Sequence, residues 1–236
     1  MGYFRKRIMW ENPFLLAFIV LILSVSAVSF SFKFYTTDES SEKMNQFECA
    51  VQNLRTTMKI DNVRQKKIRK ILSILNHYNN KMTDDLKYQI SEEIYKMSVK
   101  YTNLDIDLIC ATITHESALT WNPRVVSQAG AMGLMQIMPT TGVFLCQYEG
   151  LLWTSAENIL FNPIYNIRLG CRYLSSLIHA YEIDGGLAAY NGGEKRAAMW
   201  VKNNRQDETI LWEETRGYIP AVLKLYKRFQ QDVGIL

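Results

Sequence analysis

His115 and Glu116 open a stretch, "THESALTWNP" over residues 114–123, that looks like half of a metal site. In His-Glu-x-x-His, two imidazoles one helical turn apart hold zinc and the glutamate serves as base. Here the fifth position is Leu119, and the other histidines, His77 and His179, lie far away in sequence. Zinc needs three protein ligands or more, so the spacing argues against a metal and leaves Glu116 to be explained. Ile109 and Ile113 precede it at helical spacing and share its face. An apolar stripe faces a core, so the carboxyl at its end points along a buried surface. Lost hydration favours the protonated form there, and a carboxylic acid still protonated near neutral pH is a general acid. An exposed or ion-paired glutamate is the ordinary alternative.

Four motifs surround this acid in order along the chain. They are Glu116-Ser117; "SQAGAMGLMQIMP" over 127–139; "AYNGG" over 189–193; and "ETRGYIP" over 214–220. Together they resemble the family 1 lytic transglycosylases, whose catalytic domain is the soluble lytic transglycosylase type of the lysozyme-like superfamily. The likeness runs from about Leu104 to Tyr226. It implies an all-α, lysozyme-like (goose-type) helical domain that cleaves the bond between N-acetylmuramic acid and N-acetylglucosamine in peptidoglycan, with no metal and no cofactor. Glu116 would be the single acid and base. Ser127 would hydrogen-bond its carboxylate, with Ser117 beside it. Gln136 would offer its amide to the sugar, and Met135 and Met138 apolar walls, although plain core packing would equally suit the two methionines. Tyr190, Asn191 and Tyr218 would shape the cleft.

Most glycosidases use two carboxyls. Asp105, Asp107, Glu182, Asp184 and Glu194 match no catalytic position, and Glu194 is the one to test as a partner. With one carboxyl the resemblance implies help from the substrate's N-acetyl group and a 1,6-anhydromuramyl product. A hydrolase of the same fold and a non-catalytic wall-binding protein are the alternatives. Three departures touch substrate fit: His115 where apolar or amide residues are common, two extra residues between Glu116 and Ser127, and Gly192 where alanine is usual.

The elements that must position these residues read as helices. Thr83 opens one to about Tyr101, with Asp84 and Asp85 where the dipole favours acids. A second runs from about Asp105 to Glu116, and a third starts near Thr140 after the Gly-broken loop 129–139. Asn162-Pro163 opens a long helix expected to end at Asp184-Gly185-Gly186. Further helices are expected before Tyr190, up to Asn203, and from Pro220 to Gln231. Residues 61–80 form a basic amphipathic helix with Ile68, Ile71, Leu72, Leu75 and Tyr78 on one stripe. Its Arg64–Lys70 run is either a solvated face or a contact for anionic lipid or wall polymer.

The 236 residues, 48% hydrophobic and 21% charged, suffice for one buried core. A net charge of +4 is too small to argue for nucleic acid. Residues 12–32, "NPFLLAFIVLILSVSAVSFSF", carry no charge and have the length of a bilayer crossing. Arg5, Lys6 and Arg7 before it place the N-terminus in the cytoplasm. The expected organisation is therefore a basic cytoplasmic end (1–12), a transmembrane anchor (13–33), a helical stalk (34–82) and a catalytic domain (83–236). The protein would cross the bacterial inner membrane once, with its catalytic domain in the periplasm. A cleaved signal peptide is the other reading of 13–33, because Ala27 and Ser29 suit a peptidase. Cys49, Cys110, Cys146 and Cys171 permit three complete pairings, and Cys110 and Cys171 also fit as small core residues.

Overall fold

The computed structural model describes residues 13–231, with backbone alone for residues 15 and 32–41. Among these residues the chain is helical: α1 (Pro13–Tyr78), α2 (Asp84–Lys100), α3 (Ile106–Glu116), α4 (Pro139–Glu149), α5 (Ala156–Leu160), α6 (Pro163–Gly192), α7 (Glu194–Lys202) and α8 (Glu213–Gln231). A 3-10 turn, Glu208–Ile210, precedes α8. There is no strand among the described residues, only isolated bridges that pair Met132 with Val126 and with Ile137. The chain divides into two compact units, Met1–Asp61 and Asn62–Leu236.

In the first unit the described backbone is helix, and Phe18, Leu21, Leu23 and Phe30 are exposed. Among the described residues no helix is long and apolar enough to cross a membrane. The basic N-terminal residues 1–12 lie outside the described residues.

The second unit begins earlier than the expected boundary at residue 83. Ile68, Ile71, Ile74 and Leu75 of α1 are fully buried, so residues 62–78 pack into the core of this unit. Its basic residues are also partly committed. Arg64 pairs with Glu92 of α2, and Lys70 Nζ lies 2.7 Å from Asp107 Oδ1 of α3. These pairs direct the helix against α2 and α3, which accounts for charges on its inner flank without an anionic ligand.

α3 lies at the centre of the core, with Ile109, Cys110, Ala111 and Ile113 completely buried. Asp105 starts it by accepting a hydrogen bond from Leu108 N at 2.8 Å, satisfying one of the orphan donors of the first turn. Cys110, Cys146 and Cys171 are free and buried, and Cys49 is free and exposed. No disulfide forms among them, and the three buried thiols act as small apolar residues.

The expected end of the long helix is displaced. α6 breaks at Glu182, with φ 62° and ψ −176°. Arg205 holds this kink through Glu182 Oε2 and Asp184 Oδ2, both at 2.7 Å. Gly185 and Gly186 instead sit in the helix that resumes, where a Cβ would lie 2.8 Å from Val201 Cγ2 and 2.6 Å from Ile178 Cγ1. They serve close packing and do not terminate the helix. α8 likewise begins seven residues before Pro220, which is an internal proline. Glu213 and Glu214 in its first turn supply the N-terminal signal in its place.

Candidate active site

Glu116 is the last residue of α3, and the stripe that led to it is buried as expected. Its side chain is half-buried. Burial pushes the carboxyl up to about 7, the nearby Glu214 adds to that, and a hydrogen bond from Tyr218 acts in the opposite direction. The Tyr218 hydroxyl donates to Oε1 at 2.6 Å across 102 positions of sequence. The tyrosine itself is almost fully buried, and its own phenol is held protonated by burial and by the neighbouring carboxyl. The acid therefore has a fixed donor on one oxygen and a titration range centred near neutrality.

His115 is not a bystander. Its ring meets the Tyr218 ring edge-on, with centroids 4.8 Å apart at 82°. Burial pushes the imidazole down, which keeps it neutral at pH 7. The pair thus braces the tyrosine that holds the acid. Sequence reading found no signal for this, because the histidine's partner is contributed by α8.

The chain leaves α3 through a strained turn. Ala118, Leu119 and Trp121 all have positive φ, at 52°, 61° and 49°. Ser117 caps the helix and accepts from Trp121 N at 3.0 Å, while Trp121 Nε1 donates to Thr114 Oγ1 at 2.9 Å. Ser117 is fully buried and works on the backbone, not toward a ligand. The two bonds pin the indole under the helix end and fix where Glu116 stops.

The 127–139 loop departs most from expectation. Ser127 Oγ accepts from Ala131 N at 2.9 Å, closing the loop's own turn, and does not bond Glu116. Gln136 adopts φ 48° and spends its amide N–H groups on Gly133 O at 2.8 Å and Val125 O at 3.2 Å. What it can present to a ligand is its carbonyl end. Met135 is completely buried, with its sulfur 3.9 Å from Cys171 Sγ, so it packs the core. Met138 is 39% exposed at the N-cap of α4 and can offer an apolar surface.

Asn166 holds this loop, and sequence reasoning missed it. It is fully buried on α6, accepts from Met135 N at 2.7 Å, and donates to Met132 O at 2.9 Å and Leu160 O at 3.0 Å. Three backbone groups that would otherwise be buried without partners are satisfied by one side chain. Gly133 makes this approach possible, since a Cβ there would lie 2.2 Å from Asn166 Nδ2. The only sequence cue was an asparagine one turn into the helix opened by Asn162-Pro163.

Tyr190 completes the frame by donating to Met135 O at 2.7 Å and packing on Tyr173 at 5.4 Å. Asn191 accepts from Thr215 Oγ1 at 2.7 Å. The unusual Gly192 has its reason here, because a Cβ would meet Thr215 Oγ1 at 2.5 Å. Glu194 bonds the Tyr181 hydroxyl at 2.8 Å and is no partner of Glu116. The structure thus joins Glu116 to Tyr218, and Tyr190 to Met135. Ser117, Ser127, Gln136 and Asn191 are engaged with the backbone or side chains that shape the surrounding loops.

The Transglycosylase SLT domain family matches residues 93–213. The chain is 37% identical over 137 residues to the soluble lytic murein transglycosylase of Escherichia coli K12, covering 52% of this chain and 20% of that protein. It is 36% identical over 110 residues to the membrane-bound lytic murein transglycosylase C of Photorhabdus laumondii, covering 42% and 30%. The crystal structure of the 70 kDa soluble lytic transglycosylase from Escherichia coli superposes with a TM-score of 0.54 at 30% identity, over 64% of this chain and 26% of that one. An inactive glutamate-to-glutamine mutant of lytic transglycosylase Slt from Pseudomonas aeruginosa gives 0.53 at 29%, over 60% and 24%. The matched region spans between a fifth and a third of these relatives.

Proposed function

On the premise that the chain belongs to the transglycosylase SLT domain family, we propose that it is a murein lytic transglycosylase with Glu116 as its sole acid and base. The observation that carries the reading is the Glu116 carboxyl itself. It ends a buried helix, is pushed up to about 7, and is held by Tyr218 at 2.6 Å. A group poised near neutrality can both deliver and recover a proton.

Protonated Glu116 gives its proton to the glycosidic oxygen between N-acetylmuramic acid and N-acetylglucosamine as the C1–O bond breaks. The Tyr218 hydrogen bond and the resulting carboxylate stabilise the charge at that moment. The substrate's own N-acetyl oxygen supports C1, and the C6 hydroxyl then bonds to C1. Its proton goes to Glu116, which restores the acid, and the product carries a 1,6-anhydro ring without consuming water.

Residues 13–33 would anchor the protein in the inner membrane, with the enzyme unit in the periplasm. The uncharged run and the basic residues before it support this, as does the membrane-bound kind of relative. Digestion of purified sacculi followed by mass spectrometry tests the chemistry. Anhydro ends made by the wild type and absent with Glu116→Gln are expected; reducing ends would establish a hydrolase instead.

A further inference from the structure

Trp212 lies just before α8, the helix that delivers Tyr218 to Glu116, and it is 56% exposed although large and apolar. One of its faces is occupied. The Arg196 guanidinium of α7 stacks over the ring at 3.6 Å from the centroid, and Arg196 Nη1 donates to Ile210 O at 2.7 Å. That hydrogen bond ties the cation to the segment carrying the indole, so the ring is braced in one orientation while more than half of the residue stays exposed. A braced, exposed aromatic face loses little conformational freedom when a flat apolar surface settles on it.

Its position relates it to the reaction. Trp212 is two residues, at most about 7 Å of chain, from Glu214. Glu214 in turn is close enough to influence both Glu116 and His115. Thr215, one residue further, bonds Asn191 of the "AYNGG" turn. Trp212 therefore lies on the segment that carries Glu214 and Tyr218 toward the acid.

We propose that Trp212, braced by Arg196, is a stacking platform for an uncharged N-acetylglucosamine ring of the glycan strand, away from the scissile bond. This rests on the reading of the chain as a glycan-cleaving enzyme. Sugar rings expose C–H groups on one face, which suit the electron-rich face of an indole. Glu213 and Glu214 follow directly in sequence and disfavour carboxylate-bearing groups, while the flat side of the Arg196 cation is already used by the ring. The platform thus selects the neutral sugar over the acidic muramyl unit.

The test uses the full chain in two assays. In the first, oligomers of β-1,4-linked N-acetylglucosamine are titrated into the Glu116→Gln protein while tryptophan fluorescence is followed. Trp212→Ala in that background should weaken binding by about five- to tenfold and remove a saturable fluorescence change, with Trp212→Phe intermediate. In the second, sacculus cleavage by Trp212→Ala should show KM raised by a similar factor and kcat within about twofold. Arg196→Gln, which keeps the indole but not its brace, should move KM in the same direction by less. Unchanged oligomer affinity and unchanged KM in Trp212→Ala would overturn the platform. Absence of any glycan cleavage by the wild type would overturn the enzymatic reading, and the oligomer titration would still decide the platform on its own.

Discussion

Glu116→Gln should make the protein more stable at high pH while abolishing its activity. In the unfolded chain the carboxyl titrates at its ordinary 4.5, and in the fold at about 7. The folded state therefore holds the proton more tightly, and stability declines as pH rises between these values. Each pH unit of that gap corresponds to about 1.4 kcal/mol, so wild type carries a penalty of roughly 3 kcal/mol at pH 8.5 and about 1 kcal/mol at pH 5. Glutamine has nearly the same shape, cannot ionise, and its carbonyl oxygen can still accept from Tyr218. It should relieve the penalty without opening a cavity. For a unit of this size 1 kcal/mol is about 2–4 °C in Tm. Thermal melts by circular dichroism should then show Glu116→Gln about 6–12 °C above wild type at pH 8.5 and only a few degrees above at pH 5. An identical gain at both values would show that packing is responsible and the carboxyl is not destabilised. Equal melting temperatures at pH 8.5 would refute the buried-acid account.

The rate of sacculus cleavage should fall as pH rises through about 7, since Glu116 must begin protonated; a flat profile from pH 6 to 9 would place the acid elsewhere. Tyr218→Phe removes the donor at 2.6 Å that favours the carboxylate, so the descending limb should move up by roughly one to two pH units, as hydrogen bonds to charged groups are worth about 1.5–3 kcal/mol. Asn166→Leu strands three buried backbone groups at about 1–3 kcal/mol each, so urea denaturation should show a loss of at least about 3 kcal/mol. Tyr190→Phe leaves Met135 O without its donor and should cost about 1–2 kcal/mol together with a drop in kcat, readable from the same melts and cleavage assays.

The helical architecture was legible because its signals are local. The Asn162-Pro163 start and the acids after Thr83 each act within one turn of themselves, and α2, α3, α4 and α6 begin within a residue or two of the expected positions. The misjudged ends share a cause. Pro220 and Gly185-Gly186 carry local breaker chemistry, yet tertiary contacts kept both inside helices: the first turn of α8 starts at its own acids, and the glycines give room to Val201 and Ile178. The 62–78 segment was legible as amphipathic, but its place in the core depended on partners, Glu92 and Asp107, that no periodicity names.

By itself the sequence determined that Glu116 ends an apolar helical stripe, that it lacks the second histidine of a zinc site, and that four motifs stand in order around it. These are matters of residue type and spacing along one chain. The tertiary structure alone decided which groups meet. Tyr218 reaches the acid from a helix 102 positions away and meets the ring of His115 there, Ser127 closes its own turn while Asn166 holds the loop, and Met135 turns inward to Cys171. A hydrogen bond is specific to within a few tenths of an ångström, whereas a motif fixes its side chains only relative to their own backbone. Which hydroxyl arrives at the carboxyl is therefore set by how helices pack, and packing is a property of the whole core.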